Sequence, residues 1–134
     1  MDIRYLVVHC SDSPNGRDDS AADIHRWHLD RGWSGIGYHA VIRRDGGVEM
    51  GRPPYWQGAH VRKHNDEALG VCLIGTDAFT PEQVDALESL LLAWGSVHPD
   101  ALVVGHRDLD DRGKTCPNFD AHAWWVARQK KQID

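Results

Sequence analysis

The chain reads as a single α/β domain, a mixed central sheet of about five strands flanked by three main helices. Short continuous apolar runs alternate with segments of helical periodicity, and a tight-turn signal, Asp45-Gly46-Gly47, joins two of the runs into an antiparallel pair. At 134 residues the chain has the length of one domain, because a second core would need roughly 100 more.

Each element has a local cause. Ile3 to Cys10 contains the apolar run Tyr5-Leu6-Val7-Val8 and stops in His9-Cys10-Ser11-Asp12-Ser13-Pro14, so a buried strand runs into a loop there. Ser20 can cap a first helix with Asp23 in its opening turn. Ile24, Trp27 and His28 then recur at helical spacing until Arg31-Gly32. Tyr38 to Arg43 and Val48 to Met50 form the hairpin. From Gly51 to Glu67 the composition turns to Pro, Gly, His and charge, a long surface loop, before Leu69 to Ile74 resumes a buried strand.

Thr80-Pro81-Glu82-Gln83 is a capping box with proline at the first helical position, and Phe79 can staple onto Val84. Val84, Leu87, Leu90, Leu91 and Trp94 form the core stripe of that second helix, which Gly95 and Pro99 are expected to end. Ala101 to Val104 is a fifth strand that runs into His106, followed by a charged loop from Arg107 to Asn118. Asp120 then caps a last helix, with Phe119 placed to staple Trp124. Strands one and five are the expected centre of the sheet.

With 41% hydrophobic and 26% charged residues the composition is that of an ordinary folded domain. Fifteen Lys+Arg against twenty Asp+Glu give a net charge of -5, which argues against a broad phosphate-binding face, so no nucleic-acid partner is expected. Three cysteines, Cys10, Cys72 and Cys116, do not make a secreted disulfide framework. The start of the chain has no signal-peptide pattern and no run approaches membrane-spanning length, so synthesis in the cytoplasm and no membrane insertion are expected; a monomer is the expected oligomeric state. The sequence names no inhibitory or regulatory partner.

If strands one and five are parallel neighbours, His9 and His106 meet at the carboxyl edge of the sheet, where open α/β folds bind ligands. Cys116 follows His106 on a loop able to fold back over that edge. Two imidazoles and a thiolate suit Zn2+ and leave a fourth position for water; each residue taken alone is more often structural. Lys114, two positions before Cys116, points the same way in an extended loop and could oppose a developing oxyanion. Tyr38 is the phenol best placed to reach the same edge. His25 and His28 read as helix-face residues, His39 and His122 as structural, and Cys10 and Cys72 as core thiols, with Cys10 facing away from His9 across its strand.

These residues sit in a wider pattern: Val8-His9-Cys10-Ser11, Ile24-His25-Arg26-Trp27-His28, Gly35-Ile36-Gly37-Tyr38-His39, Arg44-Asp45-Gly46, Gly58-Ala59-His60, Gly70-Val71-Cys72-Leu73 and Lys114-Thr115-Cys116-Pro117-Asn118-Phe119-Asp120. In that order they resemble the zinc N-acetylmuramoyl-L-alanine amidases of the type-2 amidase and peptidoglycan-recognition-protein superfamily, most closely the small phage endolysins. The resemblance spans nearly the whole chain. It implies metal ligands at His9, His106 and Cys116, catalytic helpers at Tyr38 and Lys114, and hydrolysis of the amide joining N-acetylmuramic acid to L-alanine in peptidoglycan.

The length leads to the expectation of a single catalytic domain over 1–134 without a separate wall-binding domain, and the resemblance further implies a groove wall for glycan and stem peptide carrying Trp56, His60 and Asn65. The implied role is a phage or prophage endolysin, made in the host cytoplasm and acting on the wall in the periplasm after release. Two other readings stand beside it, a cytosolic amidase that recycles muropeptides and a recognition module that binds peptidoglycan without cutting it.

Overall fold

A computed structural model of the chain describes residues 2–133. Five strands, β1 (Tyr5–Cys10), β2 (Ala40–Ile42), β3 (Val48–Met50), β4 (Ala68–Leu73) and β5 (Leu102–Gly105), form one sheet in the order β3-β2-β4-β1-β5. The helices are α1 (Ala21–Asp30), α2 (Pro81–Val97), a single turn α3 (His106–Leu109) and α4 (Ala121–Ile133). No helix among the described residues is long and apolar enough to cross a membrane.

β1 pairs in parallel with both β4 and β5, and β2 pairs in parallel with β4 but antiparallel with β3. The expected parallel neighbours are therefore present. The expectation that strand five shares the centre is corrected, because β4 takes that place and β5 lies on an edge. Burial explains it: every residue of β4 is buried, whereas Leu102 in β5 is 54% exposed.

Strand alternation divides the core between two faces. Leu6, Val8, Ile42, Leu69, Val71 and Leu73 pack with Leu87, Leu91 and Trp94 of α2 and Ala121 of α4. Ile24 of α1 covers Val41, Cys72 and Ile74. The caps form as their residues require: the Ser20 side chain accepts from the Asp23 amide and Thr80 from the Gln83 amide, each reciprocated as a capping box. Phe119 meets Trp124 edge to face, and Asp120 accepts from the Ala123 amide at 3.0 Å.

Two further boundaries are corrected. Gly95 does not end α2, which runs on to Val97; burial of Leu91 and Trp94 outweighs the roughly 1 kcal/mol that a mid-helix glycine costs. The loop after β5 begins as the helical turn α3, because Asp108 accepts from the Gly105 amide at 2.8 Å and so caps it.

Candidate active site

The parallel register sets Val8 beside Gly105, so the next residues in each direction of travel, His9 and His106, emerge together at the carboxyl edge of the sheet. Their ring centroids lie 4.6 Å apart. The segment after α3 crosses the end of β1, where the Cys10 amide donates to Cys116 Sγ at 3.1 Å. One donor atom from each of His9, His106 and Cys116 lies within 4.8 Å of the others. They open onto a cavity of about 640 Å³ whose walls include Tyr38, His60, Asn65 and Lys114.

Burial leaves the two imidazoles in the neutral form that a metal ion requires. His9 is 1% exposed, and burial, reinforced by His60 and His106, holds it well below the usual histidine range. His106 is lowered by burial, with Asp110 opposing and Lys114 and Arg112 adding to the effect. Both imidazoles are thus neutral at pH 7 with a lone pair to give. Cys116 is raised by its hydrogen bond with Cys10 and by burial, so its thiolate needs a positive charge in the cleft. Two neutral imidazoles and a thiol that a cation would ionise fit zinc in particular, a metal that accepts mixed nitrogen and sulfur donors.

Tyr38 precedes β2, and its ring centroid lies 5.0 Å from that of His9. Burial raises its phenol well above the usual range, so it keeps its proton. Lys114 is exposed at the rim, on the same loop as Cys116. His60 is buried against His9, its Nδ1 2.9 Å from His9 Nε2, and burial lowers it to about 3. Asn65 accepts from the amides of His60 and Val61 at 2.8 and 2.9 Å. Trp56 is not brought to this cavity: it is exposed in a separate hollow of about 480 Å³ with His25, Ile36 and Met50.

Three neighbours were not evident beforehand. Cys10, expected to face away, closes to 3.8 Å from Cys116 sulfur to sulfur, because it ends its strand and the later loop wraps around that end. Asp110 faces His106, Oδ2 to Nε2 at 3.5 Å, and His28 reaches the cavity wall while accepting from the Gly37 amide at 3.0 Å. Only the i,i+4 spacing of His106 and Asp110 on a helical turn signalled any of these.

A polar cleft of this kind, at the carboxyl edge of a parallel sheet and lined by two imidazoles and a thiol whose titration is shifted, belongs to an enzyme. Comparison with known proteins supplies the particular class. The family model described as N-acetylmuramoyl-L-alanine amidase matches residues 1–119, and the chain belongs to that family. It is 41% identical over 133 residues to the endolysin of Klebsiella phage KP32, covering 93% of this chain and 87% of the relative. The endolysin of Escherichia phage T7 is 37% identical over 128 residues, covering 90% and 83%. Among solved structures, the N-acetylmuramoyl-L-alanine amidase LysC from Clostridium intestinale URNW superposes with a TM-score of 0.83 at 27% identity, covering 99% of this chain and 87% of that one.

Proposed function

We propose that the protein hydrolyses the amide between the lactyl group of N-acetylmuramic acid and the first L-alanine of the peptidoglycan stem peptide, acting on the bacterial wall as a monomeric phage or prophage endolysin. The observation that carries this reading is the convergence of His9, His106 and Cys116 donor atoms within 4.8 Å in a chain of the amidase family. These three residues would hold Zn2+. The chemistry such an ion supplies when bound is Lewis-acid polarisation of a carbonyl and acidification of water.

The chain's own groups then divide the remaining work. His9 and His106, neutral through burial, offer lone pairs and leave the cleft's positive charge to the ion. Tyr38, which holds its proton, acts as a hydrogen-bond donor that orients water or the amide oxygen and not as a base at neutral pH. Lys114 places an ammonium at the rim, where it opposes the negative charge that gathers on the carbonyl oxygen as water adds. Cleavage breaks the C–N bond, leaves the lactyl carboxylate and hands a proton to the alanine amine. Asn65 and His60 shape the groove wall for glycan and peptide, and Trp56 offers an exposed ring in a separate hollow.

Metal analysis combined with product analysis of digested sacculi tests the reading. Zinc near one equivalent and new L-alanine amines without new reducing sugar ends are expected. Reducing ends alone would identify a glycosidase, and tight binding to sacculi without release of stem peptide would identify a recognition module. Slow cleavage of sacculi beside fast cleavage of soluble anhydro-muropeptides would move the enzyme to muropeptide recycling.

A further inference from the structure

His60 has more structure built around it than a groove wall needs. A Cβ on Gly70 would stand 2.4 Å from its Nδ1, and one on Gly58 would stand 2.6 Å from its Cδ2, so two glycines clear the space that the ring fills. Asn65 pins the backbone beneath it by accepting from the amides of His60 and Val61. The ring is left with two polar contacts. Its Nε2 lies 3.3 Å from the Ala68 carbonyl oxygen and its Nδ1 lies 2.9 Å from His9 Nε2.

These contacts have only one consistent arrangement of protons. A carbonyl oxygen can only accept, so His60 carries its hydrogen on Nε2. A neutral imidazole has a single N–H, so His60 Nδ1 is bare and must accept from His9 Nε2. His9 in turn has its hydrogen on Nε2 and its lone pair on Nδ1. We infer that His60 is a positioning residue that fixes His9 as the Nε2-protonated tautomer and thereby presents Nδ1 to the cleft shared with His106 and Cys116. The inference rests on the zinc site proposed above. It extends the general pattern in which the second nitrogen of a ligating histidine is held by a partner.

The other imidazole is arranged in the same way. His106 Nε2 faces Asp110 Oδ2 at 3.5 Å, a carboxylate whose side chain is 2% exposed and which is itself held by Arg112. An acceptor-only group on that side directs the N–H of His106 to Nε2 and its lone pair to Nδ1. The partner of His9 is a histidine and not a carboxylate, so the inner side of the site adds no buried negative charge.

Long-range 1H–15N correlation spectra of the full chain at pH 7.5, zinc-free and zinc-loaded, test this directly. The expected result is a His9 ring protonated at Nε2 already in the zinc-free protein. His60→Leu removes the acceptor: His9 should then show both tautomers, and zinc affinity from chelator competition should fall about tenfold. His60→Asn, whose side-chain oxygen can stand near the lost Nδ1, should return affinity to within about threefold of the parent on the same scale. A His9 ring protonated at Nδ1 in the zinc-free parent overturns the inference, as does unchanged affinity in folded His60→Leu. Failure of the parent to bind zinc would defeat the site reading instead, and the zinc-free spectrum would still decide the role of His60.

Discussion

Replacing Gly70 by alanine is the sharpest test of the seat that holds His60. The new methyl would sit 2.4 Å from Nδ1 and 2.6 Å from two ring carbons, where ordinary contact begins at 3.4 Å, so the ring must retreat by about 1 Å. The backbone at Gly58 also lies close to the ring, since a Cβ added there would stand 2.6 Å from Cδ2, so that edge offers little room for retreat. Overpacking of a tight core costs about 1–3 kcal/mol, and losing the buried bond to His9 adds about 1 kcal/mol. We expect a loss of about 3 kcal/mol, or roughly 10 °C in Tm for a domain of this length. Zinc affinity should fall together with stability. Urea unfolding and chelator competition measure the two quantities on the same samples. A Gly70→Ala protein within about 0.5 kcal/mol of the parent, with zinc affinity intact, would show that the glycine does not hold the ring and would refute the packing argument.

Three other outcomes follow from the same geometry. Lys114→Ala should retain zinc while turnover on sacculi falls about 30-fold, the share of a charge whose effect lies between its values in water and near a protein surface; loss of metal in that variant would contradict its role. His28 is lowered to about 4 by burial, with Arg31, Arg52 and His25 adding, against about 6.5 unfolded. Because the unfolded chain then takes up the proton first, the stability this residue contributes is complete above about pH 6.5 and is lost as pH falls toward about 4, on the order of 3 kcal/mol. His28→Gln keeps an acceptor for the Gly37 amide and should flatten the acid limb of urea midpoints; superimposable pH profiles would count against the assignment. Gly95→Ala, with open space around its new methyl in α2, should gain about 0.5–1 kcal/mol and leave activity unchanged, and a loss of stability would mean the helix is strained there.

Much of the architecture is local and therefore readable from the chain. Ser20 with Asp23, Thr80 with Gln83, and Phe119 with Trp124 act within one turn of themselves, and each forms as its residue types require. The meeting of His9 and His106 follows from one assumption, a parallel β1–β5 pair, and that of Cys116 from a second, a loop that folds back over the same edge. What escaped depends on depth and on close approach across the fold. Gln83 completes a capping box, yet it is also wholly buried, donating to the carbonyls of Ile42 and Ile74, which no helical pattern announces. Cys10 obeys strand alternation and still reaches Cys116, because a segment 106 residues later wraps around the end of its strand. His60 stands in a stretch with no periodicity, so its contact with His9, 51 residues earlier, is visible only in three dimensions. The edge position of β5 depends on relative burial among strands that are all apolar.

The donors of the proposed zinc site are divided between the opening strand and a stretch far along the chain, with 106 residues separating Cys10 from the sulfur it supports. During synthesis, a growing polypeptide whose first strand has already emerged still lacks two of its three donors. On the proposed reading the site is complete only once the distant segment has closed over the sheet, so a chain ending before it is expected to be inactive.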